Sequence, residues 1–425
     1  MTGVKKSKKP ANKHPIIVIG GGPAGMTAAL TAARYYGSVM LFDKNPQPGK
    51  KLLSIPNTSL FVSEELPLDK TARAFGEKEN FVKLALKGFG WKQLQEHLAQ
   101  MGIKVTTNGY NHVMVPVEIA SELPSRLKGA AESAGAVVKK SSRVSDVLFS
   151  NNAATGVVVN AVEYAASAVI IASGSFSSPG CGSTKDGYEF ARKAGHTVIP
   201  LHPALVGLET YEKHGKLLTD VEFADCRIEV ELDGRGQLTD RGGLKFTSYG
   251  VEGDLILTYS ARIIDMLKKG RVEIHIDMIP EKSRKELEVW FSEQIALYSK
   301  ITVGELLAKY LSDRLLAAMG KITRVHADKP AANLSYLERK ALLLWAKDFH
   351  VTIKRARPFN ETRGVLGGVS TDEIDAESMR SKKIKNLYFA GEVMDVLGPW
   401  GGYNIQMAFS TGYLAGLSAA KSLSR

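Results

Sequence analysis

The chain has 425 residues, 44% hydrophobic and 24% charged, which is ordinary globular composition and long enough for more than one core. Its two cysteines, Cys181 and Cys226, argue against a disulfide framework and for a reducing, cytoplasmic setting, and the absence of CxxC or paired histidines predicts no metal site. The net charge of +12 admits phosphate-rich partners, whether a nucleotide, RNA or an anionic lipid, beside the plainer reading of a solvated basic surface.

In chain order, residues 1–14 form a tail carrying Lys5, Lys6, Lys8, Lys9 and Lys13, too polar to fold alone. With the apolar run behind it, this tail imitates a signal peptide, but three glycines and a proline interrupt the helix that a signal requires. No stretch reaches the roughly 20 apolar residues that span a bilayer. "IIVI", the Ala-rich "AGMTAALTAARYYG" and "SVMLFD" read as strand, helix and strand, a βαβ opening. A helix over 91–101, a strand "IKVTT", a helix interrupted near Pro124 and a strand "AVVKK" follow. A hairpin turning at Asn151-Asn152 or slightly later leads to the buried strand of "ASAVIIASGS".

From 196 to 280 short alternating strands predict an antiparallel β lobe, and 281–354 a mainly helical lobe with capping boxes at Thr302/Glu305 and Ser335/Glu338. A basic strand with Lys354, Arg355, Arg357 and Arg363 reads as a solvated edge or a phosphate-contact surface. After Val365 a strand "NLYFAGE" and a final helix return, so 15–195 and 355–425 are expected to build one Rossmann-type domain into which both lobes are inserted.

The strongest motif is "VIGGGPAG", which places Gly20, Gly22 and Gly25 between a strand and a helix. Gly20 permits the tight turn, Gly22 lets a pyrophosphate approach the backbone, and Gly25 allows close helix–strand packing. The helix N-terminus then faces the phosphates. Asp43 ends the second strand, where a carboxylate accepts from a ribose. Two remote pieces argue for FAD rather than NAD. Ser173-Gly174 closes a buried strand in a small-residue turn, and Gly391-Glu392 precedes a second helix start at Gly402-Tyr403-Asn404, suited to negative charge at the flavin N1/C2=O edge.

These stretches, with "GKKLL", "GSTKDGYEFARKAGHTVIPLHPALVGLE", "FTSYGVEGDLILTYS" and "GGVSTDEID", resemble the HI0933-like family of bacterial FAD-binding flavoproteins over about residues 16–420. The resemblance implies a two-dinucleotide-binding-domain type of flavoprotein. Its FAD contacts are expected at Gly20, Gly22, Ala24, Gly25, Asp43 (where Glu is usual), Lys44, Lys50 or Lys51, Val144 (to adenine), Ser173, Gly174, Gly391, Glu392, Gly402, Tyr403 and Asn404.

The sequence departs from the family pattern at three places. "SIPNTSLFVS" (54–63) replaces a Gly-Gly-Gly-Arg-Cys-Asn stretch, "TRGVLGGV" replaces Ala-x-Val-Thr-x-Gly-Gly-Val, and Leu397 replaces a late Asp. Cys181 is a candidate proton donor or an inert thiol. His196 and His202 read as structural, and Trp400 as a flavin cover or as packing.

The expected activity is an FAD-dependent oxidoreductase with non-covalent flavin acting on a small molecule, a small amine among the possibilities. No second GxGxxG follows residue 195, so any NAD(P)H binds transiently. Family resemblance also implies a second reading, reduction of uridine in ribosomal RNA. A third is a non-catalytic flavin-binding or redox-sensing protein.

Overall fold

The computed structural model describes residues 14–53, 60–109, 111–212, 215–298 and 300–424; the basic tail up to Lys13 and most of the stretch expected beside the flavin (54–59) lie outside them. The chain forms two compact units, one of residues 1–202 with 364–425 and one of residues 203–363. Among the described residues no helix is long and apolar enough to cross a membrane.

The first unit opens with β1 (Ile16–Ile19), α1 (Pro23–Tyr36) and β2 (Val39–Phe42). All four side chains of β1 are buried, as expected of a strand covered on both faces of a parallel sheet. Pro23 begins α1, where its missing N–H costs nothing, and Gly37 ends it with φ +88°. Further along come β3 (Leu60–Glu64), β4 (His112–Val115), β5 (Ala136–Lys139), β6 (Ala168–Ile171) and α2 (Asp186–Lys193). After the second unit, β7 (Leu387–Phe389) and α3 (Tyr403–Leu423) complete the unit.

The main sheet has the order β7–β6–β1–β2–β5, and all its strands are parallel. Ile16 stands opposite both Ala168 and Val39. The sequence leaves β1 to one side for β2 and later returns on its other side at β6. The crevice between the ends of β1 and β6 is therefore the topological switch point, where doubly wound sheets bind ligands. The predicted hairpin forms from Val144–Ser150 and Ala153–Val159, with Asn151 and Asn152 both at positive φ, the turn geometry that asparagine tolerates. The expected strand "IKVTT" survives only as Thr106–Thr107.

The second unit is a closed barrel whose strands run in the order 208–210, 250–252, 235–246, 222–232, 272–277 and 349–356. The last of these comes after the helices, so the barrel closes only once the helical stretch has been traversed. Capping boxes form at Thr302/Glu305 and Ser335/Glu338, and a third at Ser283/Glu286 that sequence analysis passed over.

The basic strand is not an edge. Phe349–Ala356 pairs on both sides, with 208–210 and with 272–277. Its arginines are matched by carboxylates: Arg355 and Arg357 by Glu209, Arg357 also by Glu361, and Arg363 by Glu252.

Candidate functional site

The turn after β1 can be built only from glycine. Gly20 has φ +105°, and a Cβ there would run into the carbonyl oxygen of Ala172. A Cβ on Gly25 would overlap the carbonyl oxygen of Gly20, so the first turn of α1 lies directly against the incoming strand. Gly21, which the motif reading left out, is equally constrained, since its Cβ would sit 2.8 Å from Asp43 Oδ2 and from Pro48 Cβ. Gly22 is the exception: nothing lies within 4 Å of its ideal Cβ. Gly174, beyond the end of β6 and at φ +75°, also faces open space. These two glycines flank the switch point, and the room above them is what a cofactor backbone requires.

Asp43 is buried at the end of β2. Its Oδ2 accepts from the Gly21 N–H at 2.6 Å and its Oδ1 from the Asn45 N–H at 2.7 Å. The carboxylate thus holds the glycine turn in shape, and each oxygen retains a lone pair for a further donor. The chain leading into Val144 joins this loop through Ser142 N–H to the Asp43 carbonyl (2.8 Å), and Val144 itself is buried opposite Val159. Lys44 Nζ donates to Thr184 Oγ1 at 2.7 Å, and burial lowers the pKa of its ammonium.

Of the two candidate phosphate lysines, Lys50 reaches the Gly180 carbonyl at 3.0 Å, whereas Lys51 bonds Ser177 Oγ at 2.5 Å and Glu392 Oε2 at 2.7 Å. Ser175 Oγ donates to the same Glu392 oxygen at 2.9 Å. The Glu392 side chain is therefore spoken for by this chain's own cation and hydroxyl. Ser173 Oγ is buried without a partner among the described residues and is pressed toward Gly187, which explains why the "DGY" piece needs its glycine.

Gly391 (φ +73°) donates its N–H to Thr411 Oγ1 at 2.9 Å, and a Cβ on it would lie 2.9 Å from Ala24 Cβ. The second glycine region is thereby joined to α1. Sequence analysis missed the deeper reason for this contact: Cβ atoms at Gly412 or Gly416 of α3 would overlap the carbonyl oxygens of Ala24 and Ala28. The spacing of small residues on the two helices was the available signal. Gly391, Glu392, Met394, Asn404, Met407 and Thr411 line a small recess.

The start of α3 is more occupied than its glycines imply. Gly402 N–H donates to Glu64 Oε1 at 3.2 Å, and a Cβ there would strike the backbone of Ser63. Asn404 Oδ1 accepts from Gly398 N–H (2.7 Å), while its Nδ2 donates to the carbonyls of Gly398 (3.1 Å) and Pro399 (3.2 Å). Asn404 therefore staples the preceding loop. The Tyr403 ring meets Phe75 edge-on at 6.0 Å, and Trp400 is half-buried.

Of the remaining candidates, Cys181 is half-buried in a short turn whose carbonyl accepts from Asn45 Nδ2 at 3.5 Å, so it stands on the Asp43 side. His196 is buried between Glu373 (3.1 Å) and Ser381 (2.7 Å), and His202 is exposed. Cys226 is buried, and its thiol is pushed up to about 12. The Lys78–Asp395 ion pair (2.7 Å) and the hydrogen-bonded Glu64–His112 pair (2.8 Å) were not singled out by sequence analysis.

Comparison with known proteins agrees with this geometry. The family described as "HI0933-like protein Rossmann domain" matches residues 14–418. A 3-dehydro-bile acid delta(4,6)-reductase of Clostridium scindens is 29% identical over 409 residues, covering 95% of this chain and 98% of its own. A ribosomal RNA dihydrouridine synthase of Haemophilus influenzae is 29% identical over 417 residues, covering 95% and 98%. In fold, the crystal structure of 3-ketosteroid delta1-dehydrogenase from Sterolibacterium denitrificans superimposes with a TM-score of 0.54 at 12% identity, covering 97% and 100%.

Proposed function

The chain belongs to the HI0933-like family and is an FAD-dependent oxidoreductase, and from that premise we propose that it adds hydrogen across an electron-poor ring double bond of a small molecule. The observation that carries this reading is the pair of open glycines, Gly22 and Gly174, beside the switch point of the parallel sheet. Two bare turns at that place leave room for the extended phosphate backbone of a dinucleotide. The bound flavin supplies two-electron chemistry.

This chain's own residues do the rest. The amides at the start of α1 take the pyrophosphate, with Ala24 and Gly25 on its helical side, and Asp43 orients both the glycine turn and the ribose. Val144 borders the adenine. Lys44 and Lys51 supply positive charge, the latter shared with Glu392, and Gly391, packed against Ala24 of α1, borders the ribityl chain. Gly402, Tyr403 and Asn404 border the isoalloxazine. A nicotinamide donor binds transiently, since its own domain has no counterpart among the motifs.

The choice of substrate class draws on the relatives' names: one is a reductase of a bile acid's ring double bonds, the other a maker of dihydrouridine. A small ring substrate is favoured over RNA because the clustered arginines 355, 357 and 363 are each paired with a carboxylate. The RNA reading keeps two supports, the Haemophilus influenzae relative and the net charge of +12. Purification without added flavin, an absorbance spectrum and anaerobic titration with NADH and NADPH test the proposal. Yellow protein, bleached by a nicotinamide and recoloured by a conjugated ring enone, is expected. Colourless protein that refuses added FAD overturns it. Recolouring by ribosomal RNA fragments alone, with salt-sensitive binding, selects the RNA reading.

A further inference from the structure

Glu64 ends β3, and its pairing partner on β4 is His112. The side chain is only 2% exposed, yet both of its oxygens are engaged: Oε2 with His112 Nδ1 at 2.8 Å, Oε1 with the Gly402 N–H at 3.2 Å. The second contact caps the 21-residue α3 at its positive end. Beside it, Ser63 places its backbone against Gly402, while its hydroxyl is 1% exposed and has no partner among the described residues. A polar group left unpaired next to a capped helix end marks a place built to receive something more.

The charges facing Glu64 are few. His112 and the Gly402 amide stabilise its anion, burial opposes it, and the balance raises its pKa. The Tyr403 phenol, first in α3, is itself raised by burial and by the Glu64 charge. Held by both contacts, the carboxyl keeps a fixed place at the helix head. His112, one third exposed, links it toward solvent.

We propose that the Glu64–His112 pair is the proton-holding element of the flavin site. This rests on the reading above, in which the start of α3 borders the flavin's pyrimidine edge. Two negative charges cannot share one helix end at little cost. If a hydride donor of the nicotinamide class reduced a bound flavin, the added negative charge at this helix end would favour a proton on Glu64, taken from solvent by way of His112. On transfer of the hydride to the substrate double bond, Glu64 would release that proton to solvent, and the second substrate carbon would take its own proton from solvent.

The test is spectroelectrochemistry of FAD-loaded wild type, Glu64→Gln and His112→Gln between about pH 5 and 9, with flavin absorbance as the readout. The side-chain amide introduced by Glu64→Gln keeps an oxygen acceptor for the Gly402 N–H, which favours folding. The His112 variant supplies a second route should Glu64→Gln fail to fold. Glu64→Gln is expected to hold a higher potential than wild type at high pH and to converge with it at low pH, giving a shallower slope. His112→Gln is expected to move the inflection of the curve to higher pH, because the carboxyl loses the imidazole contact that favours its anion. Superimposable curves for wild type and the variants, all carrying FAD, overturn the inference while leaving the cofactor reading intact. Wild type that never binds FAD removes both.

Discussion

The two helix starts that look equivalent in sequence, α1 after Gly22 and α3 after Gly402, differ in what already occupies them. At α1 the glycine turn is held from behind by Asp43, and the face above Gly22 is bare. At α3 the N–H of Gly402, just before the helix, is taken by a buried carboxylate, and the Asn404 side chain is spent on its own loop. Anion binding at a helix end needs free N–H groups and an open approach, and of the two starts the first has the more open face. A glycine motif reports where backbone is bare of side chain, not whether its amides are free.

The largest expected effect breaks the first region outright. Gly25→Val drives a side chain into the Gly20 carbonyl, so loss of soluble folded protein, or a stability loss above about 4 kcal/mol in urea melts, is expected. Gly22→Val sharpens the contrast. Its Cβ meets nothing in the protein, so the melting temperature of the flavin-free form should hold while FAD affinity falls more than about a hundredfold, ~2.8 kcal/mol by titration. Unchanged affinity there removes the phosphate from above this turn.

Behind α3, buried His97 packs edge-on against Phe89 and Phe409 and is held down to about 4, first by burial and then by Arg34. Because the folded pKa lies below the unfolded value, its stability contribution is complete above about pH 6.5 and declines as pH falls toward 4, by up to about 3 kcal/mol. His97→Phe should flatten that part of the stability–pH curve, and an identical curve counts against a neutral histidine there. Asn404→Ala frees the loop at 398–399 and should cost about 1–3 kcal/mol in chemical denaturation. The smallest effect is at the link between the regions. Lys51→Met removes the partner of Glu392 and should weaken FAD binding about tenfold with little loss of stability, as the pair is partly exposed.

Much of the first region was legible because its constraints are local. The turn at Gly20–Gly25, the acid ending β2 and the Asn151-Asn152 hairpin each depend on residues close together in the chain, as do the capping boxes at Thr302/Glu305 and Ser335/Glu338 in the second unit. The second region was legible only in outline. "GGYN" announced a helix start, but nothing near residue 402 pointed to Glu64, 338 positions earlier. The basic run misled for a related reason: its arginines find their carboxylates at Glu209, Glu252 and Glu361, and only barrel closure brings the first two within reach.

By itself the sequence determined the alternation of strand and helix and the glycine turn between the first strand and helix, since backbone sterics and hydrophobic period act over a few residues. Only the tertiary structure decided that Lys51 meets Glu392, 341 residues away, and that Gly412 and Gly416 bring α3 onto the backbone of α1. It likewise decided that Glu64 and His112 stand at the head of α3. Such pairings depend on which surfaces the packed core leaves facing one another, and long-range packing leaves no short-range pattern in the chain.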